Sequence, residues 1–120
     1  MTEILIVDDS RTMRDMLIRA LTEGGFAVTQ ASDGQEALEV LDESNFDLII
    51  TDINMPRLDG FGLIESIRKD NRHRFTPVVV LTTESAADKK QKARDAGASG
   101  WIVKPFEPNK LIDVVRRLAH

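Results

Sequence analysis

The sequence contains no cysteine, which excludes a disulfide framework and any thiolate metal site. No apolar run approaches the roughly 20 residues that span a bilayer. No basic leader with a long apolar stretch precedes the run that begins at Ile4, so neither a membrane anchor nor a secretory signal is expected. Basic residues are not in excess either. Twenty acidic residues stand against 16 basic ones, for a net charge of −4, which argues against gripping nucleic acid by bulk charge. Repeats, low-complexity tracts and linkers are missing as well. The expectation left by these absences is a soluble, cytoplasmic chain of 120 residues, 42% of them hydrophobic, forming one domain over 1–120 with a proper core.

What is present is an alternation of short apolar runs and amphipathic stretches. Ile4 to Val7, Leu48 to Ile50, Val78 to Leu81 and Trp101 to Val103 read as strands buried on both faces. Phe26 to Ala31 mixes Thr29 and Gln30 with apolar residues, as an edge strand would. Between them, Met13, Met16, Leu17, Ala20 and Leu21 mark one buried helical face, stopped at Gly24 and Gly25. Asp33 with Glu36 starts a second helix in the manner of a capping box, with Ala37, Leu38 and Leu41 inward. A third begins near Gly60 with Leu63, Ile64 and Ile67 inward, and a last carries Leu111, Val114, Val115 and Leu118. The stretch Ala86 to Ala96 differs, since its only apolar residues are alanines. An alanine face buries little area, so this helix should be among the least firmly held elements. Five strands alternating with five helices predict an α/β, doubly wound (βα)5 fold. Its five-stranded parallel sheet has the order 2-1-3-4-5 and is flavodoxin-like.

In such sheets ligands bind beyond the carboxyl ends of the strands, where the strand order reverses. Asp8 and Asp9 follow the first strand, Asp52 the third, Thr82 and Thr83 the fourth, and Lys104 the fifth. Three carboxylates converging at one sheet end repel one another, so either some are protonated or a cation sits among them. Hard oxygen ligands favour Mg²⁺ or Ca²⁺, and few protein ligands with several waters favour Mg²⁺. Acids after strands can also be helix N-caps, which fits Asp9 or Ser10 but not Asp52, since Met55-Pro56 and a loop follow it. Lys104 at the same end reads as a counter-charge. His73 reads as a loop residue within the polar stretch 70–74, and neither it nor His120 has a metal-ligand neighbour at useful spacing. Asp59-Gly60 reads as a tight turn, Met13 and Phe106 as core, and Lys89, Lys90, Lys92 and Arg94 as a solvated face.

The segments Ile4-Leu-Ile-Val-Asp-Asp-Ser10, Leu48-Ile-Ile-Thr-Asp-Ile-Asn-Met-Pro56, Asp59-Gly60, Val80-Leu-Thr-Thr83, Ala96-Gly-Ala98 and Val103-Lys-Pro-Phe106 together resemble the receiver domains of two-component response regulators. The resemblance covers the whole chain. It implies that Asp52 is phosphorylated by a histidine kinase, beside a Mg²⁺ held by Asp8, Asp9, Asp52 and the backbone carbonyl of Asn54. It further implies that Thr82 is the switch hydroxyl, Lys104 the phosphoryl-binding lysine, and Trp101 the aromatic switch, where the family usually has Tyr or Phe. Asn54 and Glu84 would tune the phosphoryl lifetime, and the Lys104–Pro105 bond would be cis.

The implied protein is a signalling switch, not an enzyme in the ordinary sense, catalysing only its own phosphorylation and autodephosphorylation. Its output surface would lie on the Ala86–Ala96 helix, the last strand and the last helix. Because the sequence ends directly after the last helical stretch, a stand-alone regulator of the chemotaxis kind is expected. It would act as a monomer without nucleic acid or membrane, reading out through a flagellar motor switch protein, with a phosphatase as a further partner. A phosphate sink, a relay carrier exchanging with a histidine phosphotransfer protein, or a receiver cut from a longer regulator are the alternatives. An aspartyl phosphatase of the haloacid dehalogenase class is disfavoured, because its second Asp is replaced by Asn54. A flavodoxin-like nucleotide carrier is disfavoured by the acidic loop after the first strand.

Overall fold

The computed structural model describes residues 1–119; His120 lies outside the described residues. In chain order the elements are β1 (Glu3–Val7), α1 (Arg11–Glu23), β2 (Ala27–Ala31), α2 (Gly34–Glu43), β3 (Leu48–Thr51), α3 (Gly60–Lys69), β4 (Val78–Thr82), α4 (Ala87–Ala96), β5 (Gly100–Val103) and α5 (Pro108–Leu118). All strand pairs are parallel, in the order β2-β1-β3-β4-β5, so the expected α/β topology is the one formed. No helix of residues 1–119 is long and apolar enough to cross a membrane.

The period-2 alternation of strand side chains divides the core in two. Leu5, Val7, Ile49, Val78 and Val80 point to one face, where Ala37 and Leu41 of α2, Leu63, Ile64 and Ile67 of α3, and Ala93 of α4 cover them. Ile4, Ile6, Leu48, Ile50, Val79 and Leu81 point to the other, against Leu17 and Leu21 of α1 and Leu111, Ile112 and Val115 of α5. Strands sandwiched in this way must be apolar throughout, which is why β1, β3 and β4 read as unbroken runs.

Several expectations are corrected. β5 is not buried on both faces: the strand order places it at the second sheet edge, where Trp101 and Ile102 are half-buried and Val103 is 42% exposed. Met16 leaves the buried face of α1 and is 47% exposed, because that face centres on Leu17 and Leu21, with Met13 and Ile18 at its margins. His73 does lie in a turn between α3 and β4, as the polar stretch suggests, but its side chain is buried. It is 2% exposed, with Nε2 2.8 Å from the Leu41 carbonyl oxygen at the end of α2, so one residue of an otherwise largely exposed polar stretch is packed inward. Asp59 is the N-cap of α3, accepting from the Gly62 N–H at 2.8 Å. Gly60 serves close packing instead of a bend, since a Cβ there would fall on the Asp52 carbonyl oxygen.

Candidate functional site

The parallel register builds the site. Val7 pairs with Thr51, so the next residues, Asp8 and Asp52, leave the sheet side by side. Thr82 pairs with Val103, and the Lys104 N–H donates to the Thr82 carbonyl at 2.8 Å, which fixes where the lysine stem begins. The Lys104–Pro105 bond is cis, as expected.

Lys104 is the hub. Its Nζ donates to Asp8 Oδ2 at 2.8 Å and to Asp52 Oδ2 at 2.9 Å, joining residues 96 and 52 positions away in sequence. The three side chains are only 10%, 2% and 11% exposed for Lys104, Asp8 and Asp52. Burial is the largest single influence on Lys104 and works against its charge. The hydrogen bonds and charges of Asp8 and Asp52 together outweigh it and hold the pKa above the ordinary lysine value.

The remaining oxygens of the two aspartates are also committed. Asp8 Oδ1 accepts from the Ser10 N–H at 2.9 Å, and Asp52 Oδ1 accepts from the Ile53 N–H at 2.6 Å. Ser10 is the N-cap of α1, accepting from the Met13 N–H at 3.2 Å. That leaves Asp9, exposed, free of the capping role. Among the described residues, one carboxylate oxygen each from Asp8, Asp9 and Asp52 lie within 4.8 Å of one another. Three carboxylates against one ammonium leave a formal excess of two negative charges. Hard oxygens carrying that excess fit a divalent cation of the Mg²⁺ type.

The other expected residues fall around this centre. Thr82 is fully buried at the end of β4, its Oγ1 accepting from the Glu84 N–H at 3.2 Å. Asn54 is exposed in the loop after Asp52. Trp101 lies within β5, paired with Val80, and its half-buried side chain packs on the α2–α3–α4 side of the sheet. Sequence reasoning missed Arg14. Its Nη1 donates to the Asp8 carbonyl at 2.7 Å and its Nε to Gln30 Oε1 at 2.9 Å, so it steadies the loop that carries the acidic pair. The usable signal was its place one helical turn after Ser10. Arg57 and Asp33 were missed as a pair; nothing local in the sequence links residues 24 positions apart.

Residues 4–116 match the response regulator receiver domain family. The chemotaxis protein CheY of Pseudomonas aeruginosa is 39% identical over 117 residues, covering 97% of this chain and 94% of its own. The solved structure of chemotaxis protein CheY4 from Vibrio cholerae superposes with a TM-score of 0.93 at 42% identity, over 98% of each chain. The receiver domain of the sensor histidine kinase PA1611 from Pseudomonas aeruginosa, with a magnesium ion coordinated in its active-site cleft, has a TM-score of 0.91 at 27% identity, over 98% of this chain and 96% of that one. The likeness extends over both halves of the sheet and therefore over every element that delivers a side chain to the acidic centre: this chain belongs to the response regulator receiver domain family.

Proposed function

We propose that the chain is one phosphoacceptor domain in which Asp52 takes a phosphoryl group from a phosphohistidine of a histidine kinase. The observation that carries this reading is Lys104 bridging Asp8 and Asp52, with Asp9 alongside. An aspartate carboxylate needs no general base. Phosphoryl transfer to it is a matter of position and charge. Asp8, Asp9, Asp52 and the Asn54 carbonyl would hold the Mg²⁺. When bound, the ion offsets repulsion between the carboxylates and the incoming phosphoryl oxygens.

An oxygen of Asp52 forms the new bond to phosphorus as the bond from phosphorus to the imidazole nitrogen breaks, and the imidazole leaves with the electron pair. Lys104 exchanges its carboxylate partners for a phosphoryl oxygen. The Thr82 hydroxyl turns to another oxygen and gives up the Glu84 N–H, which loosens the 83–86 segment ahead of α4. Trp101, half-buried beside α4, repacks in response, and the α4–β5–α5 face carries the signal. Asn54 and Glu84 flank the water that resets Asp52. This is a population shift between two packings of one fold.

Relatives that carry the name chemotaxis protein over nearly their whole length support a cytoplasmic role in chemotaxis, with a CheA-like histidine kinase upstream and the flagellar motor switch downstream. Asp52→Asn is expected to abolish Mg²⁺-dependent labelling by a radiolabelled phosphodonor, measured on the folded protein. Labelling that persists at its wild-type level would refute the assignment.

A further inference from the structure

The loop after Asp52 contains a three-residue turn closed by the Leu58 N–H donating to the Pro56 carbonyl at 2.8 Å. Its central residue, Arg57, has a φ of 67°, and it is the one non-glycine residue with positive φ among the described residues. A γ-turn of this hand is rare and strained for a residue with a Cβ. Something must hold it.

The fastening is on α2. Arg57 Nε donates to Asp33 Oδ2 at 2.8 Å and Nη2 to Asp33 Oδ1 at 3.1 Å, a two-pronged pairing that fixes direction as well as distance. Asp33 is buried and immobilised in turn, because it caps α2 by accepting from the Glu36 N–H at 2.8 Å. Gly34 N–H donates to the Leu58 carbonyl at 3.2 Å, and a Cβ on Gly34 would collide with that carbonyl. The two ends of the loop are tied at the acidic centre: Ile53 N–H to Asp52 Oδ1, and Gly60 N–H to the Ile53 carbonyl at 2.8 Å. Asn54 sits between the tied end and the strained turn.

We propose that Arg57 and Asp33 are positioning residues for the metal site: their ion pair holds the 53–59 loop in a strained turn that sets the Asn54 backbone carbonyl for the cation shared by Asp8, Asp9 and Asp52. This rests on the phosphoacceptor reading. A purely structural turn would be better served by glycine, which adopts positive φ without the steric penalty of a Cβ. Arginine forgoes that ease and supplies the clasp instead.

The distinction gives the test. Mg²⁺ affinity is measured by calorimetric titration of the unphosphorylated protein, alongside urea unfolding and amide exchange at Gly34 and Leu58 in the metal-free state. Arg57→Gly is expected to unfold at the same or a higher urea concentration, yet to bind Mg²⁺ about tenfold more weakly, the range usual for outer-sphere partners, with faster exchange at Leu58. Arg57→Lys recovers part of the affinity. Asp33→Asn, which keeps the cap acceptor, shows the same loss, and combining it with Arg57→Gly adds no further loss. Arg57→Gly binding Mg²⁺ within twofold of wild type overturns the proposal while leaving the phosphoacceptor reading intact. Failure of the wild-type protein to bind Mg²⁺ overturns both.

Discussion

Helices α3 and α4 are neighbours of ten residues each, and they are held in opposite ways. α3 buries Gly60, Phe61, Leu63, Ile64 and Ile67, starts on the Asp59 side-chain cap, and ends with Arg68 and Lys69 at the negative pole of its dipole. α4 buries only Ala93, and its first turn, after Ala86, has no side-chain cap. What fixes α4 lies at its other end. Gly97, at a φ of 114°, closes it, and the Gly97 carbonyl accepts both Nε and Nη2 of Arg68 at 3.0 and 2.8 Å. Lys92 adds its ammonium over the Phe61 ring at 4.3 Å. A helix clasped at its C-terminus and loose at its N-terminus can pivot at the end next to Thr82. Firm packing thus lies on the α3 side, next to the loop that follows Asp52, and the lighter hold lies at the start of α4, where the proposed function places the exit of the signal.

The comparison is broken most severely from the α3 side. Ile64→Ala, at a fully buried position, is expected to lower unfolding stability by about 2–5 kcal/mol in urea titration; a loss as small as that of a surface change would mean that α3 is no firmer than α4. Next comes Lys104, which ties the edge strand β5 back to β1 and β3. Lys104→Met is expected to cost about 1–3 kcal/mol near neutral pH. Because the folded pKa of Lys104 is raised, its contribution is complete below the unfolded value and is lost as pH rises through the folded one. The gap between wild type and variant should therefore begin to close above about pH 10.4 and vanish only beyond the raised folded value. A gap that stays constant into that range would exclude the ion pair as its source. The smallest effect sharpens the α4 side. Ala86→Ser supplies the missing cap, for a gain of about 0.5–2 kcal/mol, and should slow amide exchange over 87–90 and reduce the exchange response to a phosphoryl mimic. Unaltered exchange would show that the N-terminus of α4 is already fixed.

Much of this was legible in the chain. Strands covered on both faces need apolar residues throughout, so β1, β3 and β4 announced themselves, and the weak hold on α4 followed from a face made of alanine alone. Edge and interior were harder to tell apart at β5, because Trp101, Ile102 and Val103 are apolar despite their exposure. Met16 sits at a helical period that the sheet does not reach. His73 read as part of a polar loop, and nothing local showed that its ring is committed to a carbonyl 32 positions away.

By itself the sequence determined the alternation of elements, the cap at Asp33, and the placing of acids and a lysine after successive strands, since those depend on local pattern and period; between Asp9 and Ser10 as the cap of α1 it left the choice open. Only the tertiary structure decided which of these groups touch. The parallel register brings Asp8 beside Asp52, Lys104 reaches from β5 across β4 and β3 to join them, and Arg57 finds Asp33. Contacts between residues so far apart are set by how the sheet packs, and no local pattern in the chain encodes that distance.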